Sequence, residues 1–159
     1  RRQRQMCIRD SVVGVVYDPL HDELFSAVRG KGAVLNGREI FVSKTDTLEY
    51  AMIATGFPYD KKSAGNNVAE FSRVLPLIRG IRRMGSAAID LCYVAAGRFD
   101  GYWEGKIKPW DMAAGALVVR EAGGKVSKYD GSGFEPEFPQ ILATNGLIHE
   151  PMIKVLTGS

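Results

Sequence analysis

The chain has 159 residues, 45% of them hydrophobic and 25% charged, which suits one globular domain and argues against wholesale disorder. No apolar stretch approaches the roughly 20 residues of a membrane-spanning helix, and two cysteines, Cys7 and Cys92, are too few for a disulfide framework or a zinc cluster. Arg1, Arg2, Arg4 and Arg9 against Asp10 give residues 1–11 the same net charge, +3, as the whole chain. The remainder is therefore neutral, and the basic-patch case for a nucleic-acid partner loses its support.

Residues 1–11 hold no apolar run of the signal-peptide kind. Residues 1–10 read in order as the translation of a transposase-adapter sequence used in DNA library preparation. They are taken, with Ser11, as an adapter-like artefact outside the fold, with natural sequence entering at about Val12. This head is expected to be disordered or poorly packed.

Residues 12–17 are β-branched and end at Asp18-Pro19, a strand and a turn. Residues 23–29 alternate and return as its hairpin partner, broken by Gly30-Lys31-Gly32. Asn36-Gly37 between residues 33–35 and 38–40 is a strong two-residue hairpin signal, because both tolerate positive φ. Residues 51–55 form a short strand of small side chains. Residues 66–79 carry Val68, Phe71, Leu75 and Ile78 at helical spacing, with Pro76 threatening the last turn. Ser86 is the candidate N-cap of a helix running to Ala96 and stopped by Gly97. Residues 99–104 form a strand. Pro109 opens a helix over 110–122, closed by Gly123-Gly124. Strands over 125–129 and 141–144 flank a loop, and a last helix starts near Pro151. Strands and helices mix in both halves, which predicts α/β layers.

The chemistry centres on Tyr102-Trp103-Glu104 and Pro109-Trp110-Asp111. Glu104 falls at a strand end and Asp111 in the first turn of a helix, so the loop between them can bring both carboxylates to one mouth. From spacing alone, the favoured readings are Asp111 as an acid stabilised by the helix dipole and Glu104 as a solvated strand end. A carboxylate in a cleft also suits a hard cation such as Mg²⁺. Gly85-Ser86-Ala87 opens a helix whose free N–H groups can receive an anion or a hydroxyl, or can simply be capped. Gly30-Lys31-Gly32 and Gly123-Gly124-Lys125 lack the phosphate-loop spacing. Trp103 and Trp110 read as packing groups. His21 and His149 read as isolated, and no Ser-His-Asp or Cys-His set assembles.

Together these motifs decide more than each does alone. Residues 85–97 (GSAAIDLCYVAAG), 100–104 (DGYWE), 109–115 (PWDMAAG) and 121–124 (EAGG) closely resemble the C-terminal signature of the inositol monophosphatase family. Residues 14–19 (GVVYDP), 30–33 (GKGA), 35–38 (LNGR), Val42-Ser43 and 54–58 (ATGFP) match the same family in the same order. The resemblance implies a layered α-β-α-β-α sandwich, here truncated. Residues 12–43 would be remnant strands of an N-terminal sheet and residues 44–159 a C-terminal α/β domain. It implies Mg²⁺-dependent hydrolysis of a small phosphate ester, inositol monophosphate, by a cytoplasmic homodimer with no nucleic-acid or membrane partner. Asp111 would be a catalytic metal ligand beside the substrate. Glu104 would accept hydrogen bonds from a ring hydroxyl, and Gly85, Ser86 and Ala87 would line the ring.

The family's Asp-Pro-Ile/Leu-Asp-Gly-Thr motif and an earlier Glu-Glu pair are absent. Both are expected upstream of the strand at Gly14, so the chain is expected to be a C-terminal half or slightly more, inactive alone. Other readings are a phosphatase for fructose bisphosphate, a 3′-phosphonucleotide or histidinol phosphate, and a non-enzymatic half-domain that binds through an exposed sheet edge.

Overall fold

The computed structural model describes residues 11–58 and 65–159; the adapter-like reading of residues 1–10 lies outside them. The chain opens on an antiparallel meander. β1 (Val13–Asp18) pairs with β2 (Glu23–Val28), β2 with β3 (Ala33–Leu35), and β3 with β4 (Arg38–Glu39). Asn36 and Gly37 both take positive φ, 49° and 77°, as the two-residue hairpin requires. The second sheet has the order β6-β5-β7-β9-β8, with β5 (Met52–Thr55), β6 (Gly80–Arg82), β7 (Gly101–Gly105), β8 (Lys125–Ser127) and β9 (Gln140–Thr144). β5 runs parallel to β6 and β7; β9 runs antiparallel to β7 and β8.

Among the described residues four α-helices accompany the sheets: α1 (Val68–Val74), α2 (Ala87–Ala95), α3 (Pro109–Glu121) and α4 (His149–Thr157). The helix expected over 66–79 is shorter. Pro76 sits in a 3-10 turn (Leu75–Leu77), Ile78 is extended, and the chain continues as β6. Proline cannot donate the next helical bond, so the segment changes state there.

Side-chain alternation places the layers. On β7, Tyr102 faces one core with Phe25, Leu91, Met112 and Val118, while Trp103 faces the other with Val74, Met152 and Leu156. Period-two alternation sends neighbours to opposite faces of a sheet. α2 and α3 therefore lie between the two sheets, and α1 and α4 cover the far face of the second. The described residues stack as sheet, helices, sheet, helices, four of the five layers expected. The outer face of the first sheet exposes Val13, Val15, Tyr17, Leu24 and Val28.

Two acids of the family-like motifs turn out to be fasteners. The Glu121 carboxylate accepts the backbone N–H groups of Gly30 and Gly32, each at 3.0 Å, across 91 and 89 residues of sequence. Gly14 lies so close to the backbone of Ala114 on α3 that a side chain there would strike its carbonyl oxygen. Asp100 accepts Ser43 Oγ at 2.5 Å and the Met52 N–H at 2.6 Å, and Asn145 Nδ2 donates to Ser43 Oγ and to the Thr45 carbonyl. This knot fixes the segment that links the two sheets. Cys92 is fully buried, and burial pushes its thiol up to about 12, so it is a packing residue and not a nucleophile.

His149 is not isolated. It is fully buried, with Nε2 2.8 Å from Ser127 Oγ and Nδ1 2.8 Å from Thr144 Oγ1. The pairing of β8 with β9 brings these two hydroxyls together, which linear spacing does not reveal. Ser127 Oγ donates to the Lys128 carbonyl, so it accepts from a proton on Nε2, and burial favours the neutral imidazole.

Candidate active site

β7 ends at Gly105, and the turn into α3 carries Lys106, Ile107 and Lys108. This turn and the entry to α2 wall a cleft of about 430 Å³. Gly85, Ser86, Ala87, Glu104 and Asp111, the five residues singled out from sequence, all line it. Gly85 takes a φ of +93°, which favours glycine. Ser86 occupies the N-cap position of α2 with extended backbone, but its hydroxyl makes no capping bond. The first turn of α2 therefore enters the cleft without a side-chain cap. Asp111 lies in the first turn of α3, where the N-cap position belongs to Lys108.

Glu104 is not a solvated strand end. It is half-buried, and burial raises its carboxyl above the ordinary carboxylate range. The Tyr102 hydroxyl donates to Glu104 Oε2, and the charge of Arg83 favours the ionised form while that of Asp111 opposes it. Gly56 makes room for the group, because a Cβ there would collide with the Glu104 carboxylate. Gly56→Ala is therefore expected to cost about 1–3 kcal/mol, the usual penalty for overpacking. Adding Glu104→Ala should recover most of that loss. Simple additivity of the two changes in a denaturation series would mean that the new methyl meets something else.

Asp90, Arg83, Gly56 and Tyr102 belong to the site or its support and were not predicted. Asp90 had a sequence signal: an acid at helical spacing between Ala87 and Val94 lies on a buried stripe. Trp110 departs from its expected packing role. At the second position of α3 it is 77% exposed on the cleft rim, whereas Trp103 is wholly buried and donates Nε1 to Asn67 Oδ1 at 2.6 Å.

Among the described residues no group of three or more His, Cys, Asp or Glu side chains gathers to hold a metal ion. A hard cation takes about six oxygen ligands. Asp111 can supply one carboxylate, so the described residues alone do not fit a complete Mg²⁺ site. Also among them, no helix is long and apolar enough to cross a membrane.

The sequence model of the inositol monophosphatase family matches residues 9–158, and the chain belongs to that family. It is 53% identical over 148 residues to an inositol-1-monophosphatase of Synechocystis sp., covering 92% of this chain and 52% of the relative. It is 48% identical over 134 residues to the Nus factor SuhB of Pseudomonas aeruginosa, covering 82% of this chain and 49% of that protein. The solved inositol monophosphatase of Anabaena (Nostoc) sp. superposes with a TM-score of 0.89 at 50% identity, over 92% of this chain and 58% of that one. The chain spans about half the length of the curated relatives it matches.

Proposed function

We propose that the cleft is the substrate-facing part of a phosphatase site for monoesters of hydroxyl-rich rings, inositol monophosphate first among them. The observation that carries this reading is the meeting of Gly85, Ser86, Ala87, Glu104 and Asp111 at one opening in a chain of this family. The family is generally metal-dependent, and Mg²⁺ is the expected ion. Asp111 contributes one hard-cation ligand and faces the phosphate. Glu104 accepts a ring hydroxyl, and the uncapped entry to α2 lines the ring. Bound metal ions supply water activation and leaving-group stabilisation. Residues 12–43 are read as part of a larger N-terminal sheet, 44–159 as the C-terminal unit, and the parent as a cytoplasmic homodimer.

The test uses the chain extended upstream with the corresponding segment of the Synechocystis relative. Asp111→Asn removes a negative charge from the metal side and is expected to lower both Mg²⁺ affinity and kcat. Glu104→Gln removes the charged acceptor. It is expected to raise KM for inositol monophosphate roughly 10- to 150-fold, equivalent to the about 1.5–3 kcal/mol of a hydrogen bond to a charged group, and to leave a small aryl phosphate unaffected. Full activity of Asp111→Asn at limiting Mg²⁺ would refute the metal role.

A further inference from the structure

Asp90 lies in the first turn of α2 and lines the same cleft as Glu104. It is 2% exposed, and its Oδ1 has no hydrogen-bond partner among the described residues. A buried, unpaired carboxylate is costly when ionised. The groups acting on this pair can be named element by element. From β7 come Glu104 itself and Tyr102, whose hydroxyl donates to Glu104. Arg83 acts from the segment before α2 and Asp111 from α3, and Lys106 and Lys108 line the same cleft from the turn between β7 and α3. Tyr129, beyond β8, feels the Glu104 charge from the far side. The Tyr102 donor favours charge on Glu104, and among the described residues no comparable donor reaches Asp90 Oδ1.

We propose that Asp90 is a positioning residue for Glu104: its buried carboxyl shares a single negative charge with Glu104 and thereby sets how that carboxylate meets a substrate hydroxyl. The part concerning substrate rests on the phosphatase reading of the cleft; the charge sharing does not. Glu104 carries the charge and Asp90 the proton. Burial and the Glu104 charge together push the Asp90 carboxyl up to about 7, so the division holds below neutrality and fails as pH rises through it. The two charged carboxylates then repel each other, which turns the Glu104 acceptor away from the substrate hydroxyl.

The charge sharing is read in the chain itself, without substrate, from the carboxyl-carbon shifts of labelled protein between pH 4 and 9. Glu104 is expected to titrate in two steps, its own and a second near 7. Asp90→Asn, which keeps the shape in a permanently neutral form, is expected to abolish the second step. A single Glu104 step unchanged by Asp90→Asn overturns the proposal. The functional arm uses the extended chain. KM for inositol monophosphate is expected to rise severalfold from pH 6 to 8 and to stay flat in Asp90→Asn; for a hydroxyl-free aryl phosphate it is expected to stay flat in both chains. An intact two-step titration with a flat KM in the unmodified chain overturns the positioning role. Failure to hydrolyse either ester counts against the phosphatase reading instead, with the titration still deciding the charge sharing.

Discussion

Trp103→Ala is expected to remove about half or more of the stability of the fold. Trp103 is fully buried at the centre of the far core, among Ile53, Val74, Leu142 and Met152. Truncating a buried tryptophan costs about 3–5 kcal/mol. Its indole N–H is also the donor to Asn67 Oδ1, and leaving a buried acceptor without its donor adds about 1–3 kcal/mol. The sum rivals the whole stability of a typical domain, about 5–15 kcal/mol. Asn67 Nδ2 in turn holds Thr55 Oγ1 and the Gly56 carbonyl, so the damage reaches the residue that makes room for Glu104. Trp103→Phe keeps most of the packing and loses only the donor, an expected cost of about 1–3 kcal/mol. Urea midpoints compare the three chains. A loss below about 1 kcal/mol for the alanine variant would contradict the burial and hydrogen bonding on which the estimate stands.

Acid is expected to act on this fold through two buried groups of opposite sign. Burial lowers His149 from 6.5 to about 4. Between those values the unfolded chain binds a proton that the folded chain refuses. Stability from this group is full above 6.5 and is lost as pH falls, by about 3 kcal/mol at pH 4. Asp90 is raised from 3.8 to about 7. In that window the folded chain binds the proton, so falling pH stabilises, by about 4 kcal/mol. The two nearly cancel between pH 7 and 4. Asp90→Asn removes one side and should expose a steep acid loss that the unmodified chain lacks, while His149→Gln should do the reverse. Denaturant unfolding at pH 7, 5.5 and 4 decides the matter. Parallel profiles for the unmodified chain and Asp90→Asn would dispose of the account.

The hairpins were legible because their signals are local: β-branched runs and Asn36-Gly37 need no tertiary information. The five cleft residues were legible because they sit in motifs that join strand ends to helix starts. What stayed hidden depends on layers meeting. β6 holds one apolar residue, Ile81, between Gly80 and Arg82, and only its parallel pairing with β5 makes it a strand. Asp90 reads in linear sequence as an acid inside an apolar helix. Its role emerges when Glu104 arrives from β7. Trp110 shows the converse error. In the sequence it reads, with Trp103, as a packing group, but its side chain stands 77% exposed at the cleft rim. Asp100 and Glu121 belong to the motifs that carry the family resemblance, yet both hold the architecture together and do not line the cleft.

The Glu121 fastening bears on the order in which the chain assembles. β1 and β2 are neighbours in sequence and can close their turn in microseconds. Docking that hairpin onto α3 must close a loop of 91 residues, and loop-closure entropy is lost before any contact across it forms. The second sheet and its helices can condense first, with the hairpin seated last. A contact that forms after the rate-limiting barrier changes the rate of unfolding and leaves the rate of folding nearly untouched. The Glu121 clasp thus acts as a latch on the lifetime of the folded chain, and its loss would show in the unfolding arm of a chevron.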